Sequence, residues 1–392
     1  MIDVTRTLGP DYFLVWEELS DAELDARLRT RSFVDEHVLP TIDGYWERAE
    51  FPWPLIEQLA ALEVVGGGSD GYGCPELSPL ARGLVQMELA RGDASLATFV
   101  GVQSGLSMGS IALLGSEEQK RQWLPRLARL EAIGAFALTE PDHGSDSVSL
   151  ETTARREGDV YVLDGAKRWI GNGSIADVVV VWARVEDGSV NGFLVERPAA
   201  GYDAEVIQGK GSLRAVWQAD IRLDGVRVPA ENRLPGAQSF RDVSAVLTET
   251  RASVAWAALG EATAAYEIAL AYTSSRIQFG RPLCSFQIVQ NRLVRMLDEL
   301  TSMQLYCLQT GRLSETGRLT GPMASLAKLH NTRKARKVIA EARDLLGGNG
   351  ILLERHVMRH LADIEALHTY EGTETIQTLI VGREITGIAA FA

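Results

Sequence analysis

The sequence predicts an α+β multidomain chain: an all-α N-terminal domain over residues 1–133, a central antiparallel, barrel-like β domain over 134–236, and a C-terminal four-helix bundle over 237–392. Three observations carry this prediction. Helix-type spacing of apolar residues, punctuated by capping signals, fills the first third. Near Gly134 the texture changes to short β-branched or aromatic runs separated by turn signals, with no helical pattern between them. Strands so spaced favour an antiparallel sheet or barrel over a Rossmann sheet. From Phe240 the helical period returns and persists, in runs long enough for a bundle.

The elements follow in order. Ser20-Asp-Ala-Glu23 is a capping box and opens a helix reaching about Val38-Leu39, before Pro40. Glu76 to Arg91 and Ala94 to Leu114 are further helical patterns, the second rich in small residues. Gly115-Ser-Glu-Glu-Gln119 ends one helix and caps the next, which carries Trp123, Leu124 and Leu127 on one face. In the β region Val160 to Leu163 meets Asp164-Gly165, a hairpin dipeptide, before Lys167 to Ile170. Val178 to Trp182 reads as a buried strand, and Ile221 to Val228 alternates before Pro229. Leu247–Thr273, Gln287–Leu313 and Met323–Leu346 supply long C-terminal helices.

Bulk composition narrows the function classes. With 46% hydrophobic and 23% charged residues the chain is an ordinary globular protein. Lys plus Arg is 39 against 52 Asp plus Glu, and the net charge of −13 argues against nucleic acid as main partner. An anionic small ligand needs only a few local cations and stays open. Cys74, Cys284 and Cys307 have no metal-type spacing and read as reduced thiols of a cytoplasmic protein. Residues 1–6 carry no apolar signal core, and no later run of about 18 uncharged apolar residues is expected to span a bilayer, so no membrane partner is expected.

Chemistry-bearing stretches are individually ambiguous. Glu371 lies between Tyr370 and Gly372, just before an apolar helix opened by Thr373 to Gln377. It is either an N-terminal helix charge or a base in apolar surroundings. Leu346-Gly-Gly-Asn-Gly350 is a helix C-cap, or a place where backbone approaches a phosphate or ring. Phe136 to Asp146 runs from a strand into a polar loop, where Thr139, Gly144 and Ser145 could hold a flat polar ring or merely form a turn. Trp169 is a stacking platform or core. Arg276-Ile-Gln-Phe-Gly-Arg281 suits a diphosphate, or complements a helix dipole.

The order of these stretches is more specific. Phe136–Asp146, Trp169-Ile-Gly-Asn172, Leu223 to Pro229, Arg276-x-x-Phe-Gly280, Leu346–Gly350 and Tyr370-Glu-Gly-Thr373 together resemble the acyl-CoA dehydrogenase family, from roughly residue 15 to the end. Ala183–Gly188, Ile207–Ala215 and Leu379–Gly387 are most similar to its glutaryl-CoA dehydrogenases. The resemblance implies FAD between the β domain and the C-terminal helices. It places Phe136, Leu138, Thr139, Gly144 and Ser145 at the flavin ring and pyrophosphate, with Trp169 and Gly171 beside the ring. It puts Arg276, Phe279 and Gln287 at FAD partly across a subunit boundary, Asp344, Gly347 and Gly348 at a neighbouring subunit's adenosine, and Thr373 and Thr375 over the pyrophosphate. Such shared sites imply a homotetramer, or at least a dimer.

Glu371 matches the family's usual base, which takes the thioester's α-proton while the β-hydride passes to flavin N5. Ala97, Thr98, Gly101, Ser145, Thr250, Arg251 and Tyr370 fall at substrate positions. Two departures stand out. Ala97 occupies the place of an arginine that pairs with a distal carboxylate in glutaryl-CoA dehydrogenases, which speaks against glutaryl-CoA. Gly171 replaces a threonine near flavin N5. Some relatives carry the base just before Arg251, where this chain has Thr250, with Glu249 one position away.

The expectation is an FAD-dependent dehydrogenase of short or medium acyl-CoA thioesters, forming the trans-2-enoyl product and passing electrons to an electron-transfer flavoprotein. The alternatives are an oxidase, an enoyl-CoA reductase, an acyl-carrier-protein dehydrogenase, a glutaryl-CoA-type enzyme, or a non-catalytic flavin-fold binding protein.

Overall fold

The computed structural model describes residues 9–69 and 71–390, so the N-terminal stretch 1–6 lies outside the described residues. Helix α1 (Asp21–Phe33) starts at the expected capping box: Ser20 Oγ accepts from the Glu23 amide, and Glu23 Oε2 accepts from the Ser20 amide at 2.8 Å. A π-helical turn, Val34–Val38, carries it to Pro40. The short α2 (Ile42–Arg48) and α3 (Trp53–Ala60) follow. Ser78 caps α4 (Pro79–Gly92), its Oγ accepting from Ala81 N at 3.1 Å, and proline suits the first turn because it has no amide to leave unpaired.

The small-residue run forms one helical rod in three parts: α5 (Ala94–Val100), a π-helical stretch (Gly101–Met108) and α6 (Gly109–Leu114). This rod corrects the expectation about apolar runs, since its 21 residues are long and apolar enough to cross a membrane. Leu96, Phe99, Met108 and Ile111 instead pack in the protein core. Helix α7 (Glu117–Ala128) closes the N-terminal part behind a second capping box, Ser116 with Gln119.

Seven strands follow: β1 (Gly134–Ala137), β2 (Thr153–Glu157), β3 (Val160–Gly171), β4 (Val178–Arg184), β5 (Val190–Glu196), β6 (Tyr202–Val206) and β7 (Gln218–Pro229). They form one sheet in the order β1-β4-β2-β3-β7-β6, with β5 on β4. Most pairings are antiparallel, but β1 runs parallel to β4, as β2 does at Thr153–Arg184. The hairpin reading of Asp164-Gly165 is wrong. The tight turn is Gly158-Asp159, between Glu157 and its partner Val160, and β3 runs straight through 164–165 with a register shift. Gly165 is needed for close packing, because an added Cβ would sit 2.5 Å from Thr152 Oγ1.

The remaining chain is α8 (Phe240–Ser275), a small hairpin of β8 (Ile277–Gln278) and β9 (Arg281–Pro282), then α9 (Gln287–Glu315), α10 (Gly321–Leu345), α11 (Val357–Thr369) and α12 (Glu374–Thr386). Helix α10 packs against α8, α9, α11 and α12. Helix α4 crosses α8 where both have glycine: a Cβ at Gly83 would overlap Trp256, and one at Gly260 would overlap the Met87 carbonyl.

Two buried polar residues lock the parts together. Gln103 donates to Leu127 O and Ala132 O, both at 2.9 Å, and accepts from Gly134 N at 2.7 Å, which fixes the π-helical stretch to β1. Asp93 caps α5 through Leu96 N at 3.0 Å and accepts from Arg359 Nη1 at 2.7 Å, which ties α5 to α11. Both partners of that ion pair are fully buried, and removing one would strand the other's charge.

Candidate functional site

Helices α11 and α12 meet at Tyr370-Glu371-Gly372. Thr373 caps α12 by accepting from Ile376 N at 3.4 Å, so the chain must reverse in the residues before it. Glu371 has φ 53° and Gly372 φ 90°. Left-handed backbone costs a non-glycine residue about 1–3 kcal/mol and persists only where its surroundings enforce it. Here every carbonyl of the turn is held. The Gln377 carboxamide donates to Glu371 O at 2.8 Å and to Gly372 O at 3.1 Å, and the Lys328 ammonium of α10 donates to Tyr370 O and Gly372 O.

Glu371 Oε2 is shielded from solvent and has no hydrogen-bond partner in the protein, an arrangement that calls for a ligand or a reaction. Burial raises the carboxyl above its ordinary value; the Thr250 hydroxyl, Lys328 and Arg251 pull in the opposite direction without cancelling the rise. Arg251, one residue beyond Thr250 on α8, has a buried Nε that is likewise without a partner. Tyr370 covers the other side, its hydroxyl 3.5 Å from Thr98 Oγ1 on α5. A cavity of about 350 Å³ opens beside this cluster, walled by Gln86, Val100, Gly101, Ser104, Gly105, Thr250 and Trp256 among others. Gly105 makes room for it: an added Cβ would lie 2.9 Å from Thr250 Cγ2, so the glycine lets the π-helical stretch approach α8 closely.

The structure therefore brings Thr98, Gly101, Thr250, Arg251, Tyr370 and Glu371 together. Of these, Gly101 and Thr250 wall the cavity. Ala97 is fully buried, and its carbonyl accepts from Gln86 Nε2 at 3.0 Å. Glu249 faces the outer part of the same cavity, where its carboxylate accepts from Ser314 Oγ and lies 4.0 Å from Arg82. It is exposed and partnered, unlike Glu371.

Beside this cluster stands the β-domain loop. Phe136 and Leu138 are buried, with Phe136 set edge-on to Trp182. Lys167, buried in β3, donates to Leu138 O at 3.0 Å and to Glu140 at 2.8 Å, and Glu140 in turn accepts from the amides of Glu151 and Thr152. Burial alone would raise Glu140; Lys167 and those donors outweigh it and hold the carboxylate below its usual range. The loop so anchored presents Gly144 and Ser145 at the surface, and no atom lies within 4 Å of a Cβ built on Gly144. Trp169 is 53% exposed at φ 63°, standing out from the buried Ile170. A flat indole with a free face, next to an open polar loop, fits a flavin ring and its phosphates. Gly171 packs on Val102 of the π-helical stretch: an added Cβ would meet Val102 Cγ2 at 2.9 Å.

The other expected cofactor residues lie far away. Arg276 follows the end of α8, and from Thr250 to Ser275 that helix spans roughly 38 Å at 1.5 Å per residue. Phe279 is 92% exposed at φ 52°, and Gln287 is an exposed first residue of α9. Asn349 donates to Tyr272 Oη at 2.9 Å, which sets Gly347 and Gly348 beside this same end, and Asp344 is exposed against Arg292 at 3.0 Å. Thr373 and Thr375 stay with the Glu371 cluster. The sequence-predicted cofactor residues thus form two groups, one on the Glu371 side of the molecule and one at the C-terminal end of α8.

Lys328 escaped the sequence reading. A lysine in an amphipathic helix ordinarily signals a solvated face, and nothing local distinguishes this one.

Comparison with known proteins fits this geometry. Models of the acyl-CoA dehydrogenase N-terminal, middle and C-terminal domains match residues 20–131, 135–226 and 240–386. The short-chain specific acyl-CoA dehydrogenase of Bos taurus mitochondria is 32% identical, over 93% of this chain and 90% of its own length. A crystal structure of glutaryl-CoA dehydrogenase from Mycobacterium smegmatis superposes with a TM-score of 0.95 at 43% identity, over 98% of this chain and all (100%) of that one. A second structure of a glutaryl-CoA dehydrogenase from that organism, in complex with FADH2, gives 0.95 at 41% identity over the same shares, 98% and 100%. With a buried carboxylate left unpaired, an exposed indole beside an open polar loop and all three domain models matched, the chain belongs to the acyl-CoA dehydrogenase family of FAD-dependent oxidoreductases.

Proposed function

We propose that this chain oxidises a short or medium acyl-CoA thioester to the trans-2-enoyl-CoA, with Glu371 as the base. The carrying observation is Glu371 Oε2, buried and unpaired, on a carboxylate that meets the Thr250 hydroxyl in the wall of the cavity. At about 350 Å³ that cavity is near the lower end for small-molecule sites, which supports a modest acyl group.

The chain's own residues supply most of the chemistry. Tyr370 and the π-helical stretch exclude water from the thioester, raising the basicity of the Glu371 carboxylate toward the α-proton. The Glu371 amide is the expected donor to the thioester oxygen, where a single such donor is worth about 2.7–4 kcal/mol. Phe136, Leu138, Thr139, Gly144, Ser145, Trp169 and Gly171 would hold the flavin, with Thr373 and Thr375 closing over its phosphates. Bound FAD supplies the acceptor for the β-hydride. An electron-transfer flavoprotein is the proposed onward acceptor.

The group at the far end of α8 supports a shared site. Arg276, Phe279, Gln287, Asp344, Gly347 and Gly348 cannot reach the Glu371 cluster of their own chain, so we assign them to the cofactor of a second copy, in a homotetramer or at least a dimer.

Anaerobic titration with a panel of acyl-CoAs tests the reading. Short straight-chain esters should bleach the yellow flavin, glutaryl-CoA should not, and Glu371→Gln should stay yellow while retaining FAD. Bleaching of Glu371→Gln at the normal rate would move the base elsewhere, with Glu249 the next candidate.

A further inference from the structure

Lys328 sits in the body of α10 and is 1% exposed, a setting that ordinarily strips a lysine of its charge. It faces no carboxylate in a hydrogen-bonded salt bridge. Its ammonium instead donates to the carbonyls of Tyr370 and Gly372, the residues on either side of Glu371. Gln377 holds Glu371 O and shares Gly372 O. The amide and the ammonium thus brace the same turn, but only one of them brings a charge.

We infer that Lys328 is the positioning residue of the base: its two carbonyl bonds hold Glu371 in the left-handed turn, and its charge keeps the Glu371 carboxylate ionised. The inference rests on Glu371 being the base. The charged groups around Lys328 are Glu371 from the α11–α12 turn, Arg251 from α8 and, weakly, His368 from α11. Burial lowers Lys328 most, Glu371 pulls it up and Arg251 lowers it again, leaving it at about 7. Lys328 therefore opposes the burial that raises Glu371. When the carboxylate takes a proton it loses its attraction for Lys328, yet both carbonyl bonds remain. The turn keeps its geometry while the base changes charge.

The test follows the Glu371 carboxyl by its infrared band in the FAD-loaded protein, assigned by its loss in Glu371→Gln. Lys328→Met should raise the protonation midpoint by about 1–3 pH units, the shift expected when a neighbouring opposite charge is lost. Gln377→Met removes a carbonyl donor without removing charge, so it should slow flavin bleaching and leave the midpoint where it is. Lys328→Arg should keep the wild-type midpoint even where its rate falls. An unchanged midpoint in Lys328→Met, or an equal shift in Gln377→Met, overturns the inference.

A reciprocal measurement guards against a Lys328→Met that fails to fold. In the isosteric Glu371→Gln the ammonium of Lys328, followed by nitrogen NMR, should deprotonate at lower pH than in wild type, and an unchanged Lys328 midpoint overturns the inference equally. Failure of the base assignment would look different: Glu371→Gln would still bleach, whatever Lys328 does.

Discussion

The two ends of α8 are built on opposite principles. Around Thr250 the helix is enclosed by α4, the π-helical stretch and the Tyr370–Gly372 turn, and what remains open is a cavity with an unpaired carboxylate beside it. Around Arg276 the same helix ends at the surface, and Phe279 projects almost wholly into solvent. The first end is complete within one chain. The second presents an exposed aromatic ring, an exposed arginine and two glycines with open space around them. On the proposed function, burial marks where the reaction would be set up, and exposure marks where a second copy would finish the site.

That contrast can be broken at either end. The largest effect should come from Gly260→Ala, whose methyl would overlap the Met87 carbonyl and force α4 from α8. Overpacking of this kind costs about 1–3 kcal/mol, and contact with backbone puts this variant at the upper end, read as a lower midpoint in urea unfolding. Wild-type stability would mean that the helices do not need their close crossing.

At the other end, Phe279→Ala with Arg276→Ala should leave the stability of the FAD-free protein within about 0.5 kcal/mol, because both side chains are exposed and Phe279 meets Phe286 only edge-on. FAD binding, followed by flavin fluorescence, should weaken at least about tenfold, roughly 1.4 kcal/mol. Unchanged FAD affinity would show this end to be mere surface.

Smaller still is Gly171→Thr, where the new side chain must displace Val102. A loss of about 1 kcal/mol is expected, largely recovered in the double variant with Val102→Ala. Simple additivity of the two losses would mean that these residues do not share the space.

The pH dependence has a definite sign. As the proposed base Glu371 would have to be ionised, and burial lifts its folded-state value above the ordinary 4.5. Flavin reduction should therefore fall off as pH drops through that raised value. The same shift acts on stability in the opposite sense: the contribution of this group is full below its unfolded value and lost as pH rises through the folded one.

Much of this was legible in the sequence because local signals and the tertiary fold agree. The capping boxes at Ser20 and Ser116, the alternation along β7 and the helical runs from Phe240 each needed only their own neighbours. Asp164-Gly165 misled because a glycine demanded by close contact with Thr152 looks the same in sequence as one demanded by a turn. The 94–114 run hid two features, its length as an uncharged rod and its π-helical centre, since neither alters the apolar spacing enough to read. Lys328 was invisible for a deeper reason. Its partners are backbone carbonyls more than forty residues later in the chain, and carbonyls carry no sequence signature.

The central claim is that Glu371 removes the α-proton, and proton exchange tests it without requiring hydride transfer. The enzyme is incubated in D2O with an acyl-CoA analogue that cannot be oxidised at its β-position, and deuterium uptake at the α-carbon is followed by NMR. The wild-type protein should exchange that position and Glu371→Gln should not, with FAD still bound in both. Exchange by Glu371→Gln at the wild-type rate would contradict the account.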